Sequence, residues 1–169
     1  PTVAEVNIGG WFLTDDSSVP MKFRIPDGTL IAAGGYVVFT EAEFNPTPGT
    51  NNSFTLSSQG EEVYLFSGGA GTNLTGYSHG FTFLAAANGV TFGRYLTSTG
   101  EPQYPAQPTL TLSAPNSGPR VGPIVIDEIH YQPPVGDAEF LELKNITASP
   151  VPLHNVEYPD LVWRVNGID

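Results

Sequence analysis

The sequence predicts an all-β sandwich or barrel, and three observations lead there. Nineteen glycines and sixteen prolines in 169 residues punctuate almost every run of ten and leave no room for long helices. Between them stand short runs rich in Val, Ile, Phe, Tyr and Thr that alternate with polar residues, the pattern of half-buried strands. The apolar fraction of 40% is that of an ordinary globular chain, so the punctuation reflects turns and not disorder.

Taken in order, residues 5–13 alternate into Trp11-Phe12-Leu13 and read as a strand, followed by a polar turn over Thr14–Ser18. Lys22–Ile25 alternates charged and apolar residues, as a half-buried strand does. Pro26-Asp27-Gly28 is a turn with a mechanism, because proline presets φ and glycine accepts a positive φ. After a break at Gly34-Gly35, Tyr36–Thr40 is aromatic and β-branched and reads as a central strand. Phe44–Ser53 forms the clearest loop. Phe54–Leu56 and Glu61–Phe66 flank Gln59-Gly60 as a hairpin, and Gly68–Gly71 is a flexible connection. Tyr77–Phe83 and Val90–Leu96 are weaker strands. Prolines at 102, 105, 108, 115 and 119 then lead to two strong strands, Ile124–Tyr131 and Glu139–Leu143, joined by the loop Pro133–Asp137. The expected core is Trp11, Leu13, Phe23, Ile25, Val37, Phe39, Val63, Leu65, Ile126, Ile129, Phe140 and Leu143.

Charge and composition exclude several classes. Seventeen acids against six bases give a net charge of −11 and no basic patch, which argues against nucleic acid and against anionic membranes as partners. The acids are spread along the chain, as expected of a soluble surface. The absence of cysteine removes disulfides, thiolate zinc sites and cysteine nucleophiles together. No apolar run approaches the roughly 18 residues of a membrane span.

The chain also repeats itself at long range. Val3–Trp11 and the stretch from Ala148 to Trp163 share a small or polar residue, a valine, one residue, an aliphatic and a later tryptophan. Aligning Val6 with Val151 gives a period of 145 residues, the size of a domain. This predicts one set of elements in permuted order plus a redundant tail.

Several segments together resemble the lamin tail domain in its bacterial version. Ile124–Tyr131 and Glu139–Asn145 resemble the opening of that family, and Val6–Asp16 its middle. The most recognisable piece is Phe23–Val38, and Leu56–Leu65 and Phe92–Tyr95 complete the set. The resemblance implies an immunoglobulin-like β-sandwich serving as a non-catalytic structural, adhesion or protein-interaction module of a larger exported bacterial protein. It further implies an extracellular or cell-surface location, no cofactor, and a protein or cell-surface polymer as partner. The order departs from the family, because the opening strands lie last. Residues 1–113 are therefore expected to be the main body of one domain lacking its first strands, and 114–122 a linker. Residues 123–149 would be the opening strands of the next repeat, and 150–169 a redundant start of the next unit. The strands within 124–145 would complete the sandwich in permuted order, either within the chain or as a domain-swapped dimer. The twelve peptide steps from Leu112 to Ile124 reach about 40 Å when extended, enough for closure within one chain.

The candidate chemical groups each have a plainer reading. Asp15 and Asp16 are candidates for a hard cation, although turn chemistry favours a solvated turn. Asp127-Glu128 and Glu139 with Glu142 would approach one another if their strands pair. Catalysis would need two carboxylates about 5 Å apart with one desolvated, and the interleaved Ile and Leu favour a solvent face or a bulge. His79, His130 and His154 have no metal-ligand spacing. Ser57-Ser58 and Ser78-His79 lack a nucleophile elbow, and Gly68–Gly71 lacks the lysine of a phosphate loop. Trp11, Tyr36, Tyr64, Phe66 and Tyr95 would form a sugar-stacking platform if exposed together, whereas their aliphatic neighbours favour packing. Sequons at Asn51, Asn73 and Asn145 would matter only in a eukaryotic secretory pathway. The alternative function is thus a carbohydrate- or calcium-binding accessory module attached to an enzyme.

Overall fold

A computed structural model describes residues 4–165 apart from Ala70 and Thr72. Val3 of the repeat signature, Ala70 of the glycine-rich connection and the last four residues of the expected tail lie outside the described residues. The chain divides into two compact units, Pro1–Arg120 and Val121–Asp169.

Apart from one short helix, the regular structure of the first unit among the described residues is antiparallel strand. The stretch predicted as one strand over residues 5–13 is split into β1 (Val6–Asn7) and β2 (Phe12–Thr14). Gly9 and Gly10 cause the split. Gly10 takes φ +83°, and a Cβ on Gly9 would lie 2.6 Å from the backbone nitrogen of Gly28. Strand β3 (Phe23–Arg24) leads through the predicted Pro26-Asp27-Gly28 turn to β4 (Leu30–Ile31), which pairs with β1. The Thr29 N–H and hydroxyl both bond to the Pro26 carbonyl, at 3.3 and 2.7 Å, and hold that turn closed. Strands β5 (Gly60–Gly68) and β6 (Leu74–Leu84) then complete a four-stranded sheet of order β3-β2-β5-β6.

Two expectations fail here. The Phe54–Leu56 segment does not pair with β5; β6 does, along nearly its whole length. Ser57 instead closes a turn, its carbonyl accepting from Gly60 and its N–H donating to Glu61 Oε2, while Phe54 turns away to stack on Phe44 at 4.7 Å. The composition of Tyr36–Thr40 predicted a central strand, yet it carries no ladder among the described residues. At its end Thr40 starts a one-turn helix, α1 (Glu41–Phe44). A capping box joins Thr40 to Glu43, so the Thr40 N–H serves the cap rather than a neighbouring strand. Val37 is correspondingly exposed at 37%, not a core residue.

Strand alternation sets the two faces of the sheet. Phe12, Thr14, Tyr64 and Phe66 share one face, on which Phe12 and Thr14 are buried. The Thr14 hydroxyl donates to the Val19 carbonyl (2.8 Å) and accepts from the Asp16 N–H (3.1 Å), so its burial leaves no polar atom unpaired. The other face carries Leu13, Val63, Leu65, His79, Phe81 and Phe83. A second layer meets it through rings: Phe39 on Phe23 at 5.7 Å, Tyr104 on Phe81 at 3.9 Å, Phe92 on Phe83 at 5.8 Å. Phe92 and Tyr104 belong to one hairpin, built on a Phe92–Ala106 bridge and on β7 (Tyr95–Leu96) with β8 (Pro102–Gln103). Ile25 is fully buried as predicted, joined by Ile8, Phe12 and Phe54. Trp11, Leu13, Phe23, Phe39, Val63 and Leu65 are only half-buried.

Residues of linker composition also belong to this unit. Buried Gln107 accepts from the Ser117 N–H at 2.8 Å, Asn116 Nδ2 donates to the Arg94 carbonyl at 2.9 Å, and the Arg120 N–H donates to the Ala106 carbonyl at 2.6 Å. The segment from Asn116 to Arg120 is thereby tied to the hairpin.

The second unit holds β9 (Ile124–His130) and β10 (Phe140–Asn145), which pair antiparallel as a two-stranded sheet. The following residues fold back on themselves through a His154–Val162 bridge, with the Asn155 N–H on the Leu161 carbonyl at 2.8 Å.

Candidate functional site

The predicted site residues do not converge. Asp15 Oδ1 receives Lys22 Nζ at 2.5 Å, both half-buried. Asp16 Oδ1 accepts from the Ser18 hydroxyl (2.6 Å) and the Ser18 N–H (2.9 Å). Those hydrogen bonds, the side-chain one foremost, hold the Asp16 carboxyl below its ordinary 3.8. Both carboxylates are thus engaged in shaping the turn after β2. Among the described residues no group of three or more His, Cys, Asp or Glu gathers as metal ligands do.

Strand pairing does bring two of the predicted carboxylates together. Glu128 of β9 stands directly opposite Glu142 of β10. Both are exposed, and neither is among the residues lining the two grooves described below, so they stand on a solvated face. Beside them Lys144 Nζ pairs with Asp127 at 3.2 Å. The histidines go separate ways: His79 Nε2 bonds the Tyr104 hydroxyl at 2.7 Å, His130 meets Phe140 edge-on at 5.3 Å, and His154 lies in the bridge to Val162.

Nor do the five proposed stacking aromatics form a platform. Trp11 packs on Tyr77 (5.7 Å) and Tyr64 on Phe66 (6.0 Å), while among the described residues no ring contact links Tyr36 or Tyr95 to either pair. The rings that do gather are Phe81, Phe83, Phe92 and Tyr104. The first three line an open groove of about 470 Å³ together with Leu56, Val63 and Leu84. Thr91 also lines it, and its hydroxyl oxygen is buried without a hydrogen-bond partner. The sequence signal for this face was the Phe81-Thr82-Phe83 alternation. The groove as a whole is assembled from separate segments, which no local pattern announces.

A second apolar surface lies in the hairpin β9–β10, where a bulge makes it coherent. Ile126 and Ile129 are three apart, a spacing that puts residues on opposite faces of a regular strand. Here Leu143 pairs with Ile126 and Glu142 with Glu128, so Asp127 is an extra residue on β9. That insertion brings Ile124, Ile126, Ile129, Leu141 and Leu143 to one face and leaves Val125, Glu128, His130, Phe140, Glu142 and Lys144 on the other. The apolar face is open: Ile126 and Ile129 are each 60% exposed, and Leu143 is exposed too. Phe140, on the opposite face, is also exposed, so none of the four core residues predicted in this unit is buried. Leu153, Trp163 and Val165 border one end of the apolar face, forming with Ile124, Ile126 and Leu143 a groove of about 370 Å³.

No family model matches the chain, and no match is found among the curated proteins or the solved structures.

Proposed function

We propose that the chain is a non-catalytic structural or adhesion module, an immunoglobulin-like sandwich of the lamin-tail kind within a larger exported protein. It works by pairing β-elements. One observation carries this reading: β9–β10 presents five aliphatic side chains on a single face, with Ile126 and Ile129 60% exposed. An amphipathic two-stranded ribbon is only marginally stable alone and gains by laying such a face on a further apolar layer. The Tyr36–Phe39 segment supports the same reading, because it has the composition of a central strand and carries no strand ladder among the described residues. Elements 124–145 are then the complement of a sandwich, their own or that of a second chain. The partner is a protein surface that offers an incomplete sheet.

Shortening the chain tests this. A protein ending at Gly118 retains the four-stranded sheet but loses β9 and β10. It is expected to aggregate and to melt without a cooperative transition. A monomeric protein that melts cooperatively at the parent temperature would contradict the closing role.

A further inference from the structure

The long-range repeat of the sequence has a counterpart in hydrogen bonding. In the first unit the Trp11 N–H donates to the Ile8 carbonyl at 3.1 Å, and in the second the Trp163 N–H donates to the Leu153 carbonyl at 3.0 Å. These are matched positions, since aligning Val6 with Val151 sets Ile8 on Leu153. Leu13 and Val165 each stand two residues beyond their tryptophan, on the same side of an extended chain. Only the connection differs. It is Gly9-Gly10 in the first unit and the hairpin closed by the His154–Val162 bridge in the second. Both units therefore build one bonded pair, valine-x-aliphatic against Trp-x-aliphatic.

Their surroundings are not the same. The first copy runs through β2 into the four-stranded sheet, and its Ile8 is buried. Among the described residues no strand ladder receives the second copy, and Leu153, Trp163 and Val165 are all exposed. Their apolar company is the ribbon, where they share a groove with Ile124, Ile126 and Leu143. The turn after β10 keeps them there. Asn145 Oδ1 accepts from the Thr147 N–H at 2.9 Å, and Asn145 Nδ2 donates to the Ser149 carbonyl at 2.7 Å, which folds the chain back at the end of the ribbon.

We propose that the apolar face of β9–β10 is a seat for this bonded pair, and that residues 151–165 are its resident occupant with Trp163 as the anchor. The inference rests on the pairing role proposed above and names the chemistry of the partner: a β-segment with valine-x-aliphatic leading to Trp-x-aliphatic. Side chains hold the tail on the ribbon and no ladder joins them among the described residues, so a rival segment of the same pattern can take its place. The advantage of the tail is its attachment to the same chain.

A fluorescent peptide of residues 4–15 carries the first copy of the pattern and serves as the rival. It is expected to bind the Trp163→Ala chain about tenfold more tightly than the native chain, where the tail competes at high effective concentration. The same peptide with Trp11→Ala is expected to bind neither. A second measurement needs no peptide. In a Trp11→Phe chain Trp163 is the remaining tryptophan, and Ile126→Ser is expected to move its emission to longer wavelength. Equal affinity for the native and Trp163→Ala chains overturns the proposal, and so does a peptide that binds neither chain. Binding indifferent to Trp11→Ala, or Trp163 emission unmoved by Ile126→Ser, overturns it as well. The truncation at Gly118 removes ribbon and tail together and reads the closing role alone, so the two readings fail separately.

Discussion

Gly68→Ala is expected to cost the first unit about 3 kcal/mol or more, enough to abolish a cooperative transition in a marginal domain. The residue ends β5 where the chain passes closest to the loop before β2. A methyl group there would penetrate the Gly10 carbonyl oxygen and come within 2.9 Å of Phe12 Cε2. A flexible side chain in the way could turn aside; a backbone carbonyl held in a turn cannot. The Gly10 N–H is bonded to the Ile25 carbonyl at 2.9 Å, so moving that turn would disturb the buried Ile25 as well. Denaturant titration followed by circular dichroism reads the loss directly. A midpoint within error of the parent would mean that this crossing is looser than described.

Phe12→Ala is the second large effect, expected to destabilise by about 3–5 kcal/mol. Phe12 is 3% exposed in the middle of the sheet, with Arg24 and Phe66 as its ladder partners and Gly68 directly against its ring edge. Removing the ring opens a cavity that its neighbours fill poorly, because the backbone on one side has no side chain to move in. Val37→Ala supplies the contrast, since an exposed side chain on a segment without a ladder is expected to change stability by less than about 0.5 kcal/mol. Equal losses at the two positions would invalidate the placement of the core on the Phe12 face.

The sequence disclosed what is decided locally. The Pro26-Asp27-Gly28 turn, the strand over Phe23-Arg24 and the pair β9–β10 follow from turn chemistry and alternation within a few residues. The Thr40–Glu43 capping box was passed over, because the aromatic and β-branched content of Tyr36–Thr40 reads as strand, and it marks the helical turn found there. Partner choice was not legible. Whether β5 pairs with Phe54–Leu56 or with the strand beyond Gly69 depends on where Ser57 and Glu61 bond, a tertiary decision. Gly76 and Gly80 likewise lowered the apparent strength of the longest strand, whose cover by Tyr64 comes from another strand altogether. Predicting Ile126, Ile129, Phe140 and Leu143 as core assumed that an apolar residue is already covered within the chain. Among the candidate ligands the carboxylates of Asp15 and Asp16 are spent on Lys22 and Ser18 in the turn after β2, and nothing in the letters named those partners.

The inserted Asp127 has a consequence for how this ribbon tolerates change. Odd and even positions exchange their roles across that point, so the strand is two half-strands of opposite parity joined at one residue. Point substitutions on either side leave this parity intact. A one-residue deletion between Ile126 and Ile129 would instead remove the irregularity and set Ile124, Ile126 and Ile129 two apart, so the same aliphatic side would be carried by an unbroken alternation.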